Sequence, residues 1–495
     1  MFEDIRLSAA IAAGKAAGLA SRVLGRGGGT TLPGVVARRL DPSVLRRLAT
    51  RLPDGTVIVA GTNGKTTTTR MLASILEVDG RRVLHNRAGA NLLSGLTSTV
   101  LDGASLRGKL GAQIGLFETD EAALPDVLGE TLPRLVLLHN LFRDQLDRYG
   151  EVDTIARKWR VALEQLPATS TVLLNADDPA TADLGMGLRA QVQYYGLEDT
   201  RHGGGATNMA DSQFCQRCGA PYHYSTTFYA HIGHYTCPGC GHSRPAPQFR
   251  LERLELDGTQ ASRLLITYPG GALDFTLPLP GLYNALNALA AIAATIKLGA
   301  KPAAARNTLE RFSAAFGRIE RIDAGGQPLF IALIKNPVGA SETVRMLTQA
   351  SAVAQPTTDD QSTIRPQPSA LSPQPSALFQ PPAPGLDLLI AINDRHADGT
   401  DVSWLWDADF EQLAGSARQV LVSGTRAEDM ALRLKYAGVD PTRIGVEPTL
   451  AAALDQALAQ LPADQTLYTL PTYTAMLELR QELVRRGWAR PFWED

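Results

Sequence analysis

Residues 57–69 read Val57-Ile-Val-Ala-Gly61-Thr62-Asn63-Gly64-Lys65-Thr66-Thr67-Thr-Thr69, an apolar run that breaks at two glycines and continues into helix-compatible sequence. Each residue type has a task if a strand here delivers the chain to an anion. Glycines let backbone N–H groups turn toward phosphate, the following helix presents its positive end, Lys65 adds a mobile charge, and the Thr66 hydroxyl can ligate Mg²⁺. The inferred ligand is ATP, held by Gly61, Thr62, Asn63, Gly64, Lys65, Thr66 and Thr67. The full G-x-x-x-x-G-K-[ST] pattern wants glycine where this chain has Val59, so the loop is a shorter variant.

Outside that loop the bounds are broad. At 495 residues the chain has room for about three domains with separate cores. Its 48 basic and 50 acidic residues nearly cancel, so no global charge excess points to nucleic acid. The start, Met-Phe-Glu-Asp, lacks a basic region followed by an apolar core, which disfavours a secretory signal and predicts a cytoplasmic protein. Residues 7–24 are rich in Ala and Leu, but Lys15 and Arg22 make them a surface or core helix; no segment reads as transmembrane.

From the phosphate loop to about residue 200, buried runs such as Gln113-Ile-Gly-Leu-Phe117, Leu135-Val-Leu-Leu138 and Thr171-Val-Leu-Leu174 alternate with helix-length segments. Parallel strands with helical crossovers read this way. Residues 203–248, rich in Gly, Cys, His, Tyr and Pro, interrupt the pattern as an insertion. An Ala-rich helix is expected over 283–298. Residues 351–385 hold eight prolines and the near-repeat Gln367-Pro-Ser-Ala-Leu371, Gln374-Pro-Ser-Ala-Leu378, and predict a disordered loop. Strands at Leu386 to Ile392, Val420 to Val422 and Thr466 to Leu470 predict a second α/β unit.

All four cysteines lie in the insertion, as Cys215-x-x-Cys218 and Cys237-x-x-Cys240 separated by eighteen residues. Two such knuckles can aim four thiolates at one tetrahedral Zn²⁺, a closed and therefore structural site. His223, His231, His234 and His242 lie nearby, but four cysteines already complete the shell, so the histidines are expected at the surface. With every cysteine so committed, none is left for a nucleophilic Cys-His pair, which excludes a cysteine glutaminase within this chain.

Further stretches agree in order: Phe117-Glu118-Thr119-Asp120-Glu121, His139-Asn140-Leu-Phe-Arg143-Asp144-Gln145-Leu146-Asp147, Ala156-Arg157-Lys158-Trp159, Leu174-Asn175-Ala176-Asp177-Asp178-Pro179, Gly281-Leu-Tyr-Asn284-Ala-Leu-Asn287 and Phe316-Gly317-Arg318-Ile319-Glu320. With the phosphate loop they resemble the Mur ligases and folylpolyglutamate synthases, which activate a carboxylate as an acyl phosphate for attack by an amine. The resemblance implies that Glu118, closing a strand, holds Mg²⁺ with Thr66. It implies nucleotide contacts for Asn284, Asn287 and Arg318, and it matches Lys158 to a lysine carbamylated in many members. Gln145 stands where the family carries a histidine of its second metal site.

Only about fifty residues precede the nucleotide core, too few for the UDP-sugar domain of many Mur ligases. The cysteine insertion, Ile334-Lys335-Asn336-Pro337-Val338-Gly339, and the stretch from Ala391-Ile392-Asn393-Asp394 through Asp398-Gly-Thr-Asp401-Val-Ser-Trp404-Leu-Trp406-Asp407 resemble the MurT subunits of lipid II isoglutaminyl synthases. That family amidates the α-carboxyl of D-glutamate on lipid II at the cytoplasmic face of the membrane. Its ammonia comes from a separate GatD-type glutaminase. By the same resemblance Lys65 and Glu118 serve the ligase chemistry, Asn336 the nucleotide, and either Asp401 or Asp407 completes the partner's Cys-His pair.

The expected architecture is α/β: an N-terminal helical segment, 1–52; a Mur ligase-like ATP-binding domain with a parallel sheet, 53–327, carrying a zinc ribbon at 203–248; and a C-terminal α/β domain, 328–495, containing the 351–385 loop. Two rivals are a folylpolyglutamate synthase-like or Mur-type amino acid ligase, active without glutaminase or lipid, and a zinc-ribbon ATPase that binds nucleic acid. The second has little support, since residues 203–248 contain few Lys or Arg to neutralise phosphates.

Overall fold

The computed structural model describes residues 2–23, 31–86, 90–143, 152–204, 212–313, 319–353, 385–463 and 465–490. The chain forms two compact units: Met1–Arg318 with Asn336–Glu342 and Asp401–Ala408, and Ile319–Lys335 with Thr343–Thr400 and Asp409–Asp495.

The first unit is built on apolar strands buried on both faces. β1 (Thr56–Ala60), β2 (Val83–His85), β3 (Ile114–Glu118), β4 (Leu135–Leu138), β5 (Thr171–Asn175) and β6 (Gln191–Leu197) run parallel. β7 (His223–Tyr229) and β8 (Ile232–Thr236) form a separate antiparallel hairpin. β9 (Phe249–Asp257), β10 (Ala261–Tyr268) and β11 (Gly271–Leu277) then extend the main sheet as an antiparallel meander. The resulting order is β11-β10-β9-β6-β5-β4-β1-β3-β2. β1 thus sits where connections depart to both sides, the crevice in which open α/β sheets bind ligands.

Strand periodicity assigns the two faces. Val57, Val59, Leu135 and Leu137 pack with the helices Lys65–Val78 and Leu282–Lys297, the latter as expected over 283–298. Ile58, Ala60, Val136 and Leu138 pack with Trp159 and with Leu7, Ile11, Val44, Leu45 and Leu48. The N-terminal helices Phe2–Val23, Leu32–Leu40 and Val44–Ala49 therefore contribute to the core of the nucleotide unit.

The second unit holds β12 (Ile319–Asp323), β13 (Pro328–Ala332), β14 (Leu386–Ala391), β15 (Ala417–Ser423), β16 (Ile444–Val446) and β17 (Leu467–Pro471), in the order β12-β13-β17-β14-β15-β16. Only β12 is antiparallel. Its pairing with β13 moves the start of this unit to Ile319, ahead of the expected 328. Asn336–Glu342 and Asp401–Ala408 group with the first unit, so Asn336, Asp401 and Asp407 do not follow the chain-order division at 327/328. The helix Pro337–Val353 overruns the expected start of the Pro-rich loop by three residues, and the rest of that loop falls outside the described residues, except Gly385.

Candidate functional site

β1 delivers Gly61 to Gly64 directly to the helix Lys65–Val78, whose N-cap is Gly64 at φ +91°. Two constraints require glycine there. The φ lies in the left-handed region, and an added Cβ would meet Asn287 Oδ1 at 2.3 Å. Asn287 thus sits over the phosphate loop, oriented from its own helix: its Nδ2 faces Asn284 Oδ1 at 3.5 Å, and Asn284 Nδ2 donates to Pro280 O at 2.7 Å.

The loop is fastened from the end of β4. Thr62 N–H donates to Asn140 O at 2.9 Å and Asn63 N–H to Asn140 Oδ1 at 2.8 Å. Phe142 N–H donates to Thr62 Oγ1 at 3.0 Å, and that hydroxyl donates to Phe142 O at 3.1 Å. Asn63 Oδ1 accepts from Asn336 Nδ2 at 2.9 Å, which brings Asn336 to the loop. Asn63 Nδ2 is buried with no hydrogen-bond acceptor among the described residues. A buried donor without an acceptor beside a glycine cradle at a helix N-terminus fits an anionic ligand.

Lys65 is not on a solvent-facing surface, where a bare phosphate loop would place it. It is 8% exposed. Its Nζ donates to Gly61 O at 2.6 Å and pairs with Glu121 Oε1 at 2.6 Å. Glu121 is itself held at its carbonyl by Trp159 Nε1 at 2.8 Å. Thr66 Oγ1 meets Glu118 Oε1 at 3.1 Å, so the expected Mg²⁺ pair stands together. Glu118 is set by Asn86, whose Oδ1 accepts Glu118 N–H at 3.0 Å and whose Nδ2 donates to Glu118 O at 2.8 Å. Thr67 is buried behind them. The roles of Asn86 and Glu121 depend on residues distant in sequence and are not legible locally, whereas Asn140 is marked by its position at the end of β4.

Beneath the loop, His139 is buried, with Nδ1 3.0 Å from Tyr195 Oη. Burial, reinforced by the charge on Lys65, brings its pKa down to about 3, so the ring is neutral. Lys158 is exposed on the helix Val152–Glu164. Arg318 and residues 144–147, including Gln145, lie outside the described residues.

The four cysteines converge. Their Sγ atoms lie within 4.8 Å of one another, with Cys215 to Cys240 at 3.6 Å and Cys218 to Cys237 at 3.4 Å. Tetrahedral thiolates around a metal at about 2.3 Å would stand roughly 3.8 Å apart. The two knuckles repeat one geometry: Gly219 N–H donates to Cys215 O and Gly241 N–H to Cys237 O, while Cys215 N–H donates to Ala220 O and Cys237 N–H to His242 O. Burial pushes the Cys215 thiol up, but the N–H groups of Arg217 and Cys218, with Tyr222 and His242, bring it down to about 5. The donor set fits a soft divalent metal.

Of the four histidines His223 is exposed as expected and His234 is half-buried, but the other two depart from expectation. His231 and His242 are buried, because acids of the 177–183 stretch face them: His231 Nε2 lies 3.5 Å from Asp178 Oδ2 and His242 Nε2 3.8 Å from Asp183 Oδ1. Arg217 Nε also donates to Asp183 Oδ1 at 2.8 Å, and Arg244 Nε to Asp177 Oδ1 at 2.7 Å.

Of the acids proposed for a partner, Asp401 and Asp407 are both exposed. Asp401 Oδ1 accepts Ser403 N–H at 2.8 Å at the start of the 3₁₀ turn Ser403–Trp406, and that bond holds its carboxyl below the ordinary value. Trp404 packs inward, whereas Trp406 is exposed. Asp398 is buried and accepts Thr474 N–H at 2.7 Å, a structural tie within the second unit.

Two families match this chain: the Mur ligase middle domain over residues 59–235 and the MurT ligase C-terminal domain over residues 377–476. The lipid II isoglutaminyl synthase (glutamine-hydrolyzing) subunit MurT of Streptococcus pneumoniae is 33% identical over 490 residues, 98% of each chain. The MurT subunit of Staphylococcus aureus is 31% identical, over 96% of this chain and 97% of its own. Among solved structures, MurF from Acinetobacter baumannii superposes with a TM-score of 0.62 at 17% identity, covering 92% of this chain and 80% of its own, and so shares the fold.

Proposed function

The chain belongs to the MurT family of Mur ligases, and from that premise we propose that it activates the α-carboxyl of D-glutamate in the lipid II stem peptide as an acyl phosphate, for displacement by ammonia from a partner glutaminase. It is an ATP-dependent amide ligase of peptidoglycan synthesis. The observation that carries the division of labour is the commitment of all four cysteines to one cluster, which leaves no thiol for glutamine hydrolysis.

A carboxylate is a poor acyl donor, since its leaving group would be oxide; γ-phosphate transfer supplies a far less basic one. Little covalent chemistry falls to side chains. Gly61 to Gly64 cradle the phosphates, and Lys65 neutralises charge on the transferring group. Thr66 and Glu118 would hold Mg²⁺, which would neutralise phosphate charge. Asn287 and Asn336 flank the loop. The family motif assigns Arg318 a further nucleotide contact. The partner is a GatD-type glutaminase, and the work is done at the cytoplasmic face of the membrane; no described helix is long and apolar enough to cross one.

The test is reconstitution. With ATP, Mg²⁺ and ammonium salt, the chain alone should amidate lipid II, and glutamine should replace ammonium only after the glutaminase is added. Amidation from glutamine by the chain alone, or addition of an amino acid in place of ammonia, contradicts the reading.

The cysteine centre is proposed as a structural zinc site. Elemental analysis of protein purified without chelator should give about one zinc per chain. Cys237→Ser should lose the metal and open residues 212–248 to protease. A metal-free wild-type protein with a protected hairpin contradicts it.

A further inference from the structure

The hairpin that carries the cysteines also touches the groups that hold the phosphate loop. His231, at the turn between β7 and β8, is 1% exposed. Its ring packs on Phe142 with centroids 4.7 Å apart, and its Nε2 lies 3.5 Å from Asp178 Oδ2, an electrostatic contact longer than a hydrogen bond. Neither ring nitrogen has a hydrogen-bond partner among the described residues.

Asp178 is fully buried and accepts from Leu141 N–H at 2.8 Å, Ala180 N–H at 2.9 Å and Thr181 N–H at 3.2 Å. Burial pushes its carboxyl up, and His231 with those N–H groups outweighs burial and holds it below the ordinary value. Leu141 and Phe142 are continuous with Asn140, and these residues make the bonds to Thr62 and Asn63 described above. A continuous set of buried contacts therefore runs from His231 through Asp178 and residues 140–142 to the loop. The hairpin has its own attachment besides, since Gly233 N–H donates to Asp177 O at 2.8 Å and Arg244 bridges Asp177 and Glu198. His231 is thus not needed merely to keep the hairpin on the sheet.

We propose that His231 is a positioning residue for the phosphate loop, by which the cysteine-bearing hairpin holds Asp178 and the 140–142 segment in the geometry that presents Thr62 and Asn63 to nucleotide. This rests on the reading of residues 61–66 as the ATP site. Removing the ring takes away the imidazole edge that faces a buried carboxylate and the surface on which Phe142 packs, so the 140–142 segment loses definition while Lys65, Thr66 and Glu118 keep their places. The loss should fall on nucleotide affinity more than on turnover.

The experiment titrates full-length protein with ADP and measures KM for ATP against kcat in ammonium-dependent amidation, with zinc content and thermal melting as checks on folding. His231→Ala should weaken ADP binding about tenfold, within the range of couplings carried by packed networks. KM for ATP should rise similarly, kcat should stay within about threefold, and zinc content should be unchanged. His231→Phe, which keeps ring volume without a donor, should behave alike and decides the matter if the alanine variant does not fold. His231→Gln, which keeps a polar edge toward Asp178 but no ring for Phe142, should recover the affinity only in part.

Thr62→Val combined with His231→Ala should lose less than the sum of the single losses, since both act on one contact chain. Wild-type ADP affinity in a folded, zinc-replete His231→Phe protein, or additive losses in the double variant, overturns the proposal. Lys65→Ala separates the two failures: if it binds ADP and turns over normally, the ATP-site reading falls regardless of His231.

Discussion

Lys65→Ala should abolish measurable amidation with either nitrogen source, a loss of about a thousandfold or more, the scale on which single preorganised charge-stabilising groups act. The structure adds a second effect. Because Lys65 is paired with Glu121 at 2.6 Å and both are buried, alanine leaves a carboxylate in the interior without its cation. Breaking one side of such a pair costs on the order of 3–5 kcal/mol, so the variant should also melt early. Lys65→Ala/Glu121→Ala should regain most of that stability and none of the activity. The comparison separates phosphate chemistry from folding. If the double variant recovers both, Lys65 serves the fold and the phosphate-loop assignment fails; near-wild-type turnover in the single variant removes it outright.

The second large effect concerns the proposed partner. If Asp401 or Asp407 orients the histidine of a partner glutaminase, its replacement by asparagine should lower glutamine hydrolysis by about four orders of magnitude, because the imidazole loses the anion that fixes its tautomer and stabilises its charged form. Assembly should persist, and ammonium salt should restore amidation, since ammonia bypasses the glutaminase while still needing Lys65 and Glu118. Both aspartates are exposed, which suits a group offered to another chain, whereas Asp398 is buried on Thr474. Full glutamine-dependent activity in both variants sinks the shared-triad idea. Equal loss of ammonia-dependent activity would place that aspartate in the ligase site instead.

What could be read ahead of the structure was local chemistry. The strand, glycines, lysine and threonine of residues 57–69 carry their meaning in consecutive positions, and the cysteine pairs carry theirs in spacing. What could not be read depends on partners distant in sequence. Lys65 is buried because Glu121, fifty-six residues away, is brought against it by β3, and Trp159 fixes that acid from another helix. His231 and His242 looked like surplus surface histidines beside a complete cysteine shell; they are buried because the hairpin folds onto Asp178 and Asp183. The second unit begins at Ile319 rather than 328 because Ile319–Asp323 pairs with the strand that starts at Pro328, a partnership that local sequence does not carry. Asp401 and Asp407 are both exposed, and the Ser403 N–H bond that distinguishes Asp401 is local to its own turn, so exposure and local contacts do not choose between them.

The proposed reaction makes an acyl phosphate on the stem-peptide carboxyl before ammonia attacks. The most direct measurement uses lipid II carrying heavy oxygen in the α-carboxyl of its D-glutamate, with ATP, Mg²⁺ and ammonium salt, and follows the label by mass spectrometry. With both carboxyl oxygens labelled, an acyl phosphate gives amidated lipid II, ADP, and one labelled oxygen in each inorganic phosphate released, because the carboxyl oxygen leaves with the phosphoryl group. Amidated product with unlabelled phosphate, or AMP and pyrophosphate in place of ADP, would contradict it.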